Sequence, residues 1–290
     1  MQDGYQRLRA FYNTPNLWKG KLLGLNQFYL DKLRFDQHDL KEGALTLPDI
    51  PHGTVLGKRA EFYFKFCVDQ SSNYNCLLSN IQVFRGKTTL GELDFIVQHN
   101  TSRRIFHIEL VYKFYIYDPT KRLACEKTST QEARYELSCY EGPNRRDYLL
   151  KKINRLKTHQ LPLLYRPETK SILEKNDIDV DAVEQKVCFL AQVFIPCDLW
   201  NHNFKWINKA CIKGYYLNYS AFAKAETQND TLYFIPHKHQ WKMNPFEIES
   251  QAFNFSEILL EVKKSIERGF APLLWKKVGK DWERFFVIAD

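Results

Sequence analysis

One stretch, residues 90–117, constrains the fold of this chain more than any other: LGELDFIVQHNTSRRIFHIELVYKFYIY. Residues 93–97 and 105–116 are rich in β-branched and aromatic side chains, which favour strands. The polar residues 99–104 between them suit a turn. The stretch therefore predicts a β-hairpin.

The predicted hairpin carries charged side chains among apolar ones. Side chains alternate between the two faces of a strand, so Glu92 and Asp94 share a face in the first strand. In the second strand, His107, Glu109 and Lys113 share a face by the same rule. Burying such charges is costly unless they are paired or bind a metal, so this hairpin is the candidate site.

The amino-acid composition indicates which partners and which cellular compartment to expect. The 42 Lys+Arg against 34 Asp+Glu give a net charge of +8, which favours a polyanion such as nucleic acid. The seven cysteines form no CxxC pair, so we expect no disulfides and a reducing compartment. The sequence shows neither a secretory leader nor a membrane span, which predicts a cytoplasmic protein with no membrane partner. The sequence does not indicate an oligomeric state.

The order of predicted elements indicates three regions. Residues 1–50 read as an N-terminal helical extension, 51–197 as the core, and 198–290 as a C-terminal α/β region. Within the core, the apolar spacing of 56–68 predicts a helix that precedes the hairpin, and 185–195 predicts a later strand.

Between the hairpin and that later strand, residues 118–142 look like a long polar loop. A helix is then predicted to begin near Asn144, with Asp147 in a capping position, and to continue until Pro162 ends it. One side of this helix is strongly basic. Its candidate nucleic-acid-binding residues are Arg145, Arg146, Lys151, Lys152 and Arg155.

Four strings in order, LGELDFIV, HIELVYKFY, GPNRRD and HQLPLL, resemble the bacterial domain-of-unknown-function family 1853. That family is assigned to the PD-(D/E)XK nuclease-like, or restriction-endonuclease-like, superfamily. The resemblance is detailed over 56–196 and looser beyond it. It implies an α/β fold with an αβββαβ core, a mixed sheet flanked by helices.

The resemblance also implies roles for particular residues. Glu61, Asp94 and Glu109 match the acids that bind a divalent metal, Mg²⁺ or Mn²⁺, in such folds. Asp94 and Glu109, with Lys113 as the lysine that polarises water or phosphate, would be the catalytic residues. Phosphodiester hydrolysis fits this set, because a metal held by carboxylates supplies hydroxide and stabilises charge at phosphorus.

The lysine departs from the superfamily spacing. The superfamily places lysine two residues after the glutamate, but Val111 stands there and Lys113 follows four residues after Glu109. At roughly 3.3 Å per residue the two Cα atoms would be about 13 Å apart. Lys151 or Lys152 on the following helix is the alternative source of the ammonium group.

The sequence therefore leaves three hypotheses. The leading one is metal-dependent phosphodiester hydrolysis of DNA or RNA, with Mg²⁺ or Mn²⁺ as cofactor. The alternative is a catalytically inactive nucleic-acid-binding or regulatory protein on the same fold. The third is a structural or interaction protein in which the acids form a buried ionic network. Asp94 and Glu109 would then pair with Lys113 or an arginine across the sheet, and Glu61 could instead be a solvated helix residue paired with Lys65.

Overall fold

A computed structural model describes residues 2–34, 46–121, 129–225, 231–247 and 251–290. The protein has a mixed α/β fold in which a large mixed β-sheet is flanked by helices. This architecture confirms the predicted α/β class.

Helices and strands are interspersed along the described residues. In chain order, the α-helices are α1 (Gln2–Tyr12), α2 (Leu56–Asp69), α3 (Ser129–Leu137), α4 (Leu149–Arg155), α5 (Pro167–Glu174), α6 (Tyr219–Ala223) and α7 (Phe255–Glu267). The strands are β1 (Lys21–Leu22), β2 (Leu25–Asn26), β3 (Tyr74–Arg85), β4 (Thr88–His99), β5 (Ile105–Tyr117), β6 (Tyr140–Glu141), β7 (Val183–Ile195), β8 (Ile212–Asn218), β9 (Leu232–Phe234), β10 (Leu273–Val278) and β11 (Asp281–Ile288). A π-helical turn, Leu156–Gln160, and a 3₁₀ turn, Leu161–Tyr165, directly follow α4.

The chain divides into two compact units. The central unit comprises 16–112 and 151–190, and the terminal unit comprises 1–15, 113–150 and 191–290. Both units are discontinuous in sequence, whereas the regions 1–50, 51–197 and 198–290 are continuous. That threefold division stays a prediction.

The central unit is built on the predicted hairpin. β4 pairs antiparallel with β3 on one side and with β5 on the other. Helix α2 forms where predicted, and its Phe64 packs against Phe95 of β4 with ring centroids 4.6 Å apart. A second apolar cluster, which includes Leu93, Ile96 and Leu163, joins β4 to the turns after α4. Apolar packing thus fixes both α2 and the 3₁₀ turn after α4 relative to β4.

The terminal unit contains a second set of strands. β11 pairs in parallel with β8 and antiparallel with β10, and β10 in turn pairs antiparallel with β9. Helix α7 buries Ile258 and Val262 in a cluster with Phe222 and Leu274. β10 and β11 form a hairpin that turns at Gly279, which has a positive φ of 61°.

Two predicted elements are wrong. The helix expected from Asn144 begins only at Leu149, because the preceding residues form a turn in which Arg145 takes a left-handed φ of 54°. The side chain of Asn144 accepts a hydrogen bond from the amide of Ala271 and does not cap a helix. The stretch 118–142, expected to be a loop, contains α3 and β6 in its described part, while 122–128 lie outside the described residues.

No helix in the described ranges is long and apolar enough to cross a membrane. The cysteines in those ranges are free thiols, as predicted. Cys125 lies outside the described residues.

Candidate functional site

Two of the three predicted metal ligands border one cavity of the central unit, with a volume of about 910 Å³. Glu61 reaches it from α2 and Asp94 from β4. The cations Lys58, Lys151 and Arg155 line the same cavity. The cavity therefore combines carboxylates with positive side chains, which is the charge pattern that a metal and a phosphate group would need.

Glu109 lies behind these acids and is fully buried. The pairing of Phe95 with Ile108 places Asp94 and Glu109 at neighbouring positions of β4 and β5. Their side chains interact, because the charge of Glu109 is the second cause, after burial, that raises the pKa of Asp94. The backbone amide of Leu110 opposes that rise by donating to Asp94 Oδ2 at 2.8 Å.

Both carboxylate oxygens of Glu109 accept hydrogen bonds. His107 Nε2 lies 3.0 Å from Oε1, and Gln160 Nε2 donates to Oε2 over 2.5 Å. Gln185 Nε2 lies 3.1 Å from His107 Nδ1 and also donates to the carbonyl of Leu161. That amide therefore leaves His107 Nδ1 as an acceptor and Nε2 as the protonated nitrogen that donates to Glu109.

Gln160 lines the cavity and connects Glu109 to Lys152. Lys152 Nζ donates to Gln160 Oε1 at 2.8 Å, so the amide has one end on a cation and the other on Glu109. We call the set Gln185, His107, Glu109, Gln160 and Lys152 the Glu109 network. Within this network both oxygens of Glu109 and the oxygen of Gln160 accept hydrogen bonds, so Glu109 is held by donors on both sides.

Glu61 is held by a different lysine from the one expected. Lys58 Nζ lies 2.5 Å from Glu61 Oε2 and 3.3 Å from Glu92 Oε1. Lys65, the partner expected from the i,i+4 spacing, pairs with Asp69 at 2.6 Å. Burial, the largest cause, together with the charges of Glu92 and Glu109, raises the pKa of Glu61, and Lys58 opposes this rise.

Lys113 is engaged elsewhere. Its Nζ lies 2.6 Å from Asp147 Oδ2, and both residues belong to the terminal unit. Val111, two residues after Glu109 where the predicted pattern would place its lysine, is buried. The structure therefore brings Glu61 and Asp94 to one cavity, with Glu109 behind them, and pairs Lys113 with an acid of its own.

The five predicted nucleic-acid-binding residues do not all lie at the cavity. Lys151 and Arg155 line the cavity, whereas Lys152 is bound to Gln160. Arg145 Nε lies 3.3 Å from the buried Glu141, and Arg146 is exposed in the turn before α4. The five residues thus do not follow one helix face.

The side chains around the cavity can be compared with those that a metal ion requires. In the described part of the chain, no group of three or more His, Cys, Asp and Glu side chains is arranged to hold a metal ion. Mg²⁺, however, usually keeps several waters and takes only one or two carboxylates from the protein. Glu61 and Asp94 both line the cavity, and their two carboxylates are the number that this requirement names.

Sequence reasoning missed three contributors to the site. His107 was placed on the same strand face as Glu109 but was given no role, although the alternation of side chains along the strand could have indicated their contact. Gln160 stands in the string HQLPLL, but its direction depends on the π-helical turn that ends there. Lys58 carried no signal beyond its i,i+3 spacing to Glu61.

Together the fold and the cavity define an α/β protein with paired acids beside a basic pocket. A family model described as a domain of unknown function (DUF1853) matches residues 11–288, so the chain belongs to that family. Neither the comparison with curated proteins nor that with solved structures gave a match.

Proposed function

We propose that the protein is a nuclease of the PD-(D/E)XK type that hydrolyses phosphodiester bonds of nucleic acid at this cavity. The observation that carries the proposal is the pair Glu61 and Asp94, which border a cavity that Lys151 and Arg155 also line. Between α2 and β7 the element order is α2, β3, β4, β5, α3, β6, α4, α5, β7. If α3, β6 and α5 are additions to the core, the remaining order αβββαβ supports the superfamily placement.

Glu61 and Asp94 would hold Mg²⁺ or Mn²⁺, which supplies a hydroxide near neutral pH and positive charge beside the phosphate. Glu109 would not hold the metal itself, because its oxygens are bound by His107 and Gln160. It would act on the site through its charge, which raises the pKa of Asp94. Lys151 and Arg155 would bind the phosphates that flank the scissile bond.

The contacts of Glu109 and Lys113 favour a second function, nucleic-acid binding without cleavage. Both oxygens of Glu109 are engaged by protein donors, and Lys113 is paired with Asp147. Such a site would bind nucleic acid through its basic residues without cutting it. The two hypotheses share a surface and differ in turnover.

A cleavage assay separates them. Labelled single- and double-stranded DNA and RNA are incubated with the protein in EDTA, Mg²⁺ or Mn²⁺. The nuclease proposal requires cleavage that needs metal and that Asp94→Asn and Glu61→Gln each abolish. Asp69→Asn, an acid on the same helix as Glu61 but paired with Lys65, is the matched control and should cut normally.

Binding is measured beside cleavage. Affinity should fall steeply with salt, and Lys151→Ala with Arg155→Ala should reduce that slope by about two, since each phosphate contact releases roughly one counterion. Lys170→Ala, a lysine on α5 paired with Glu174, should leave the slope unchanged. Binding without cleavage under every metal condition would favour the inactive alternative, and no binding at low salt would end both.

A further inference from the structure

Lys58 occupies an unusual place in the cavity of the central unit. It stands in the first turn of α2, and its ammonium group contacts the Glu61 carboxylate at 2.5 Å. The same group lies 3.3 Å from Glu92, and the side chain is 40% exposed. Lys58 is therefore a half-exposed cation held between two acids at the rim of the site.

This contact conflicts with metal binding at Glu61. Mg²⁺ binds a carboxylate oxygen at about 2.0–2.1 Å, so an ion at Glu61 Oε2 would lie close to the ammonium group and be repelled by its positive charge. A lysine side chain can yield, because its charge sits on a flexible four-carbon stem. Glu92 also gives the ammonium a second partner inside the same cavity.

We propose that Lys58 is the movable cation of the site, which neutralises Glu61 in the metal-free protein and contacts a substrate phosphate oxygen in the loaded one. This inference rests on the proposed function. Lys58 would supply from α2 the ammonium group that β5 does not supply. On β5, Val111 stands at the superfamily position of the lysine, and Lys113 is bound to Asp147.

The arrangement makes Lys58 a competitor of the metal before substrate arrives. Removing its charge while keeping its length, as in Lys58→Met, should therefore tighten Mn²⁺ binding by about twofold to fivefold, within the range of a partly exposed ion pair. Lys58→Arg should bind Mn²⁺ like the parent. The control is Lys65→Met, which removes an ion pair of the same helix that faces Asp69 and should leave Mn²⁺ affinity unchanged.

Mn²⁺ affinity is measured by calorimetry or by electron paramagnetic resonance of the free ion, with no substrate present. Weaker or unchanged binding by Lys58→Met would overturn the proposal, because a lysine that merely orders Glu61 should help the metal. Circular dichroism spectra of the variants confirm that each has folded.

Cleavage gives the second readout. At saturating Mn²⁺, Lys58→Met should cut about a hundredfold more slowly, a loss typical of removing one group that stabilises transition-state charge. Lys58→Arg should recover part of the rate, and Lys65→Met should match the parent. If the parent cuts and Lys58→Met cuts equally well, the role of Lys58 is refuted while the nuclease proposal stands. If the parent never cuts, the proposed function fails and this inference fails with it.

Discussion

Exchanging the carboxylate and the amide between residues 109 and 160 tests the Glu109 network directly. In Glu109→Gln, one carboxylate oxygen becomes an amide NH₂ group. If Oε1 still accepts from His107, the new NH₂ group faces the NH₂ group of Gln160. Gln160 cannot turn over to help, because its own oxygen already accepts from Lys152. The single substitution therefore leaves a buried donor against a donor.

The expected cost follows from the contact that is lost. A hydrogen bond to a charged group contributes about 1.5–3 kcal/mol, so Glu109→Gln should destabilise the central unit by about 2 kcal/mol. The double variant Glu109→Gln/Gln160→Glu restores every pairing, since the new amide donates to the carboxylate introduced at position 160, with which Lys152 then pairs. We expect it to recover most of that loss. Gln160→Glu alone sets two carboxylates face to face and should be less stable at pH 8 than at pH 4.

The assay must report on the central unit. Of the six tryptophans only Trp18 lies in that unit, so fluorescence would follow the terminal unit. Hydrogen exchange of peptides from 105–112 and 151–165, in EDTA, is the suitable measurement. A loss of about 2 kcal/mol makes their exchange about 30-fold faster. Equal protection in the parent and Glu109→Gln, or a double variant no better than the worse single one, would refute the network.

Three further predictions concern other parts of the molecule. The pKa of Asp94 is raised, so the folded protein binds its proton more tightly than the unfolded chain and loses stability as pH rises from the ordinary aspartate range through that raised pKa. Asp94→Asn should therefore gain thermal stability relative to the parent at pH 8 but not at pH 4, and a pH-independent difference would contradict this. Lys113→Met removes a partly exposed pair with Asp147 and should cost less than ~1 kcal/mol in urea unfolding; a cleavage loss of about two orders of magnitude would instead return Lys113 to the site. Gly214→Ala places a Cβ 2.0 Å from the carbonyl oxygen of Arg284, so it should cost about 3 kcal/mol or more by tryptophan fluorescence, and near-neutral stability would refute the close approach.

The parts of the site that local pattern controls were predictable. Alternation along β4 and β5 places Asp94 and Glu109 on adjacent strands, and the apolar spacing of α2 places Glu61 on a helix that packs on the same hairpin. Each of these inferences uses a period of two or 3.6 residues that holds wherever a strand or a helix forms. The predicted hairpin and α2 are confirmed for that reason.

The parts that depend on side-chain choice or on irregular backbone were not predictable. Glu61 had lysines at both i−3 and i+4, and only the surrounding cavity and Asp69 decide that Lys58 is its partner. The direction of Gln160 comes from a π-helical turn, which no periodicity encodes. The late start of α4 follows from the turn at Arg145, whose positive φ is uncommon for a residue other than glycine.

The two acids of the hairpin differ in a way that bears on function. Glu109 is fully buried but satisfied by His107 and Gln160, which is what an ionic or hydrogen-bonded structural network requires. Asp94 accepts from the Leu110 amide and borders the cavity, and burial and the Glu109 charge raise its pKa. A structural network therefore accounts for Glu109, whereas the Leu110 amide and the charge of Lys152 only partly offset the burial and the neighbouring negative charge that act on Asp94. A cation beside Asp94 and Glu61 would relieve that charge, and because it would displace the proton of Asp94, its affinity should increase with pH.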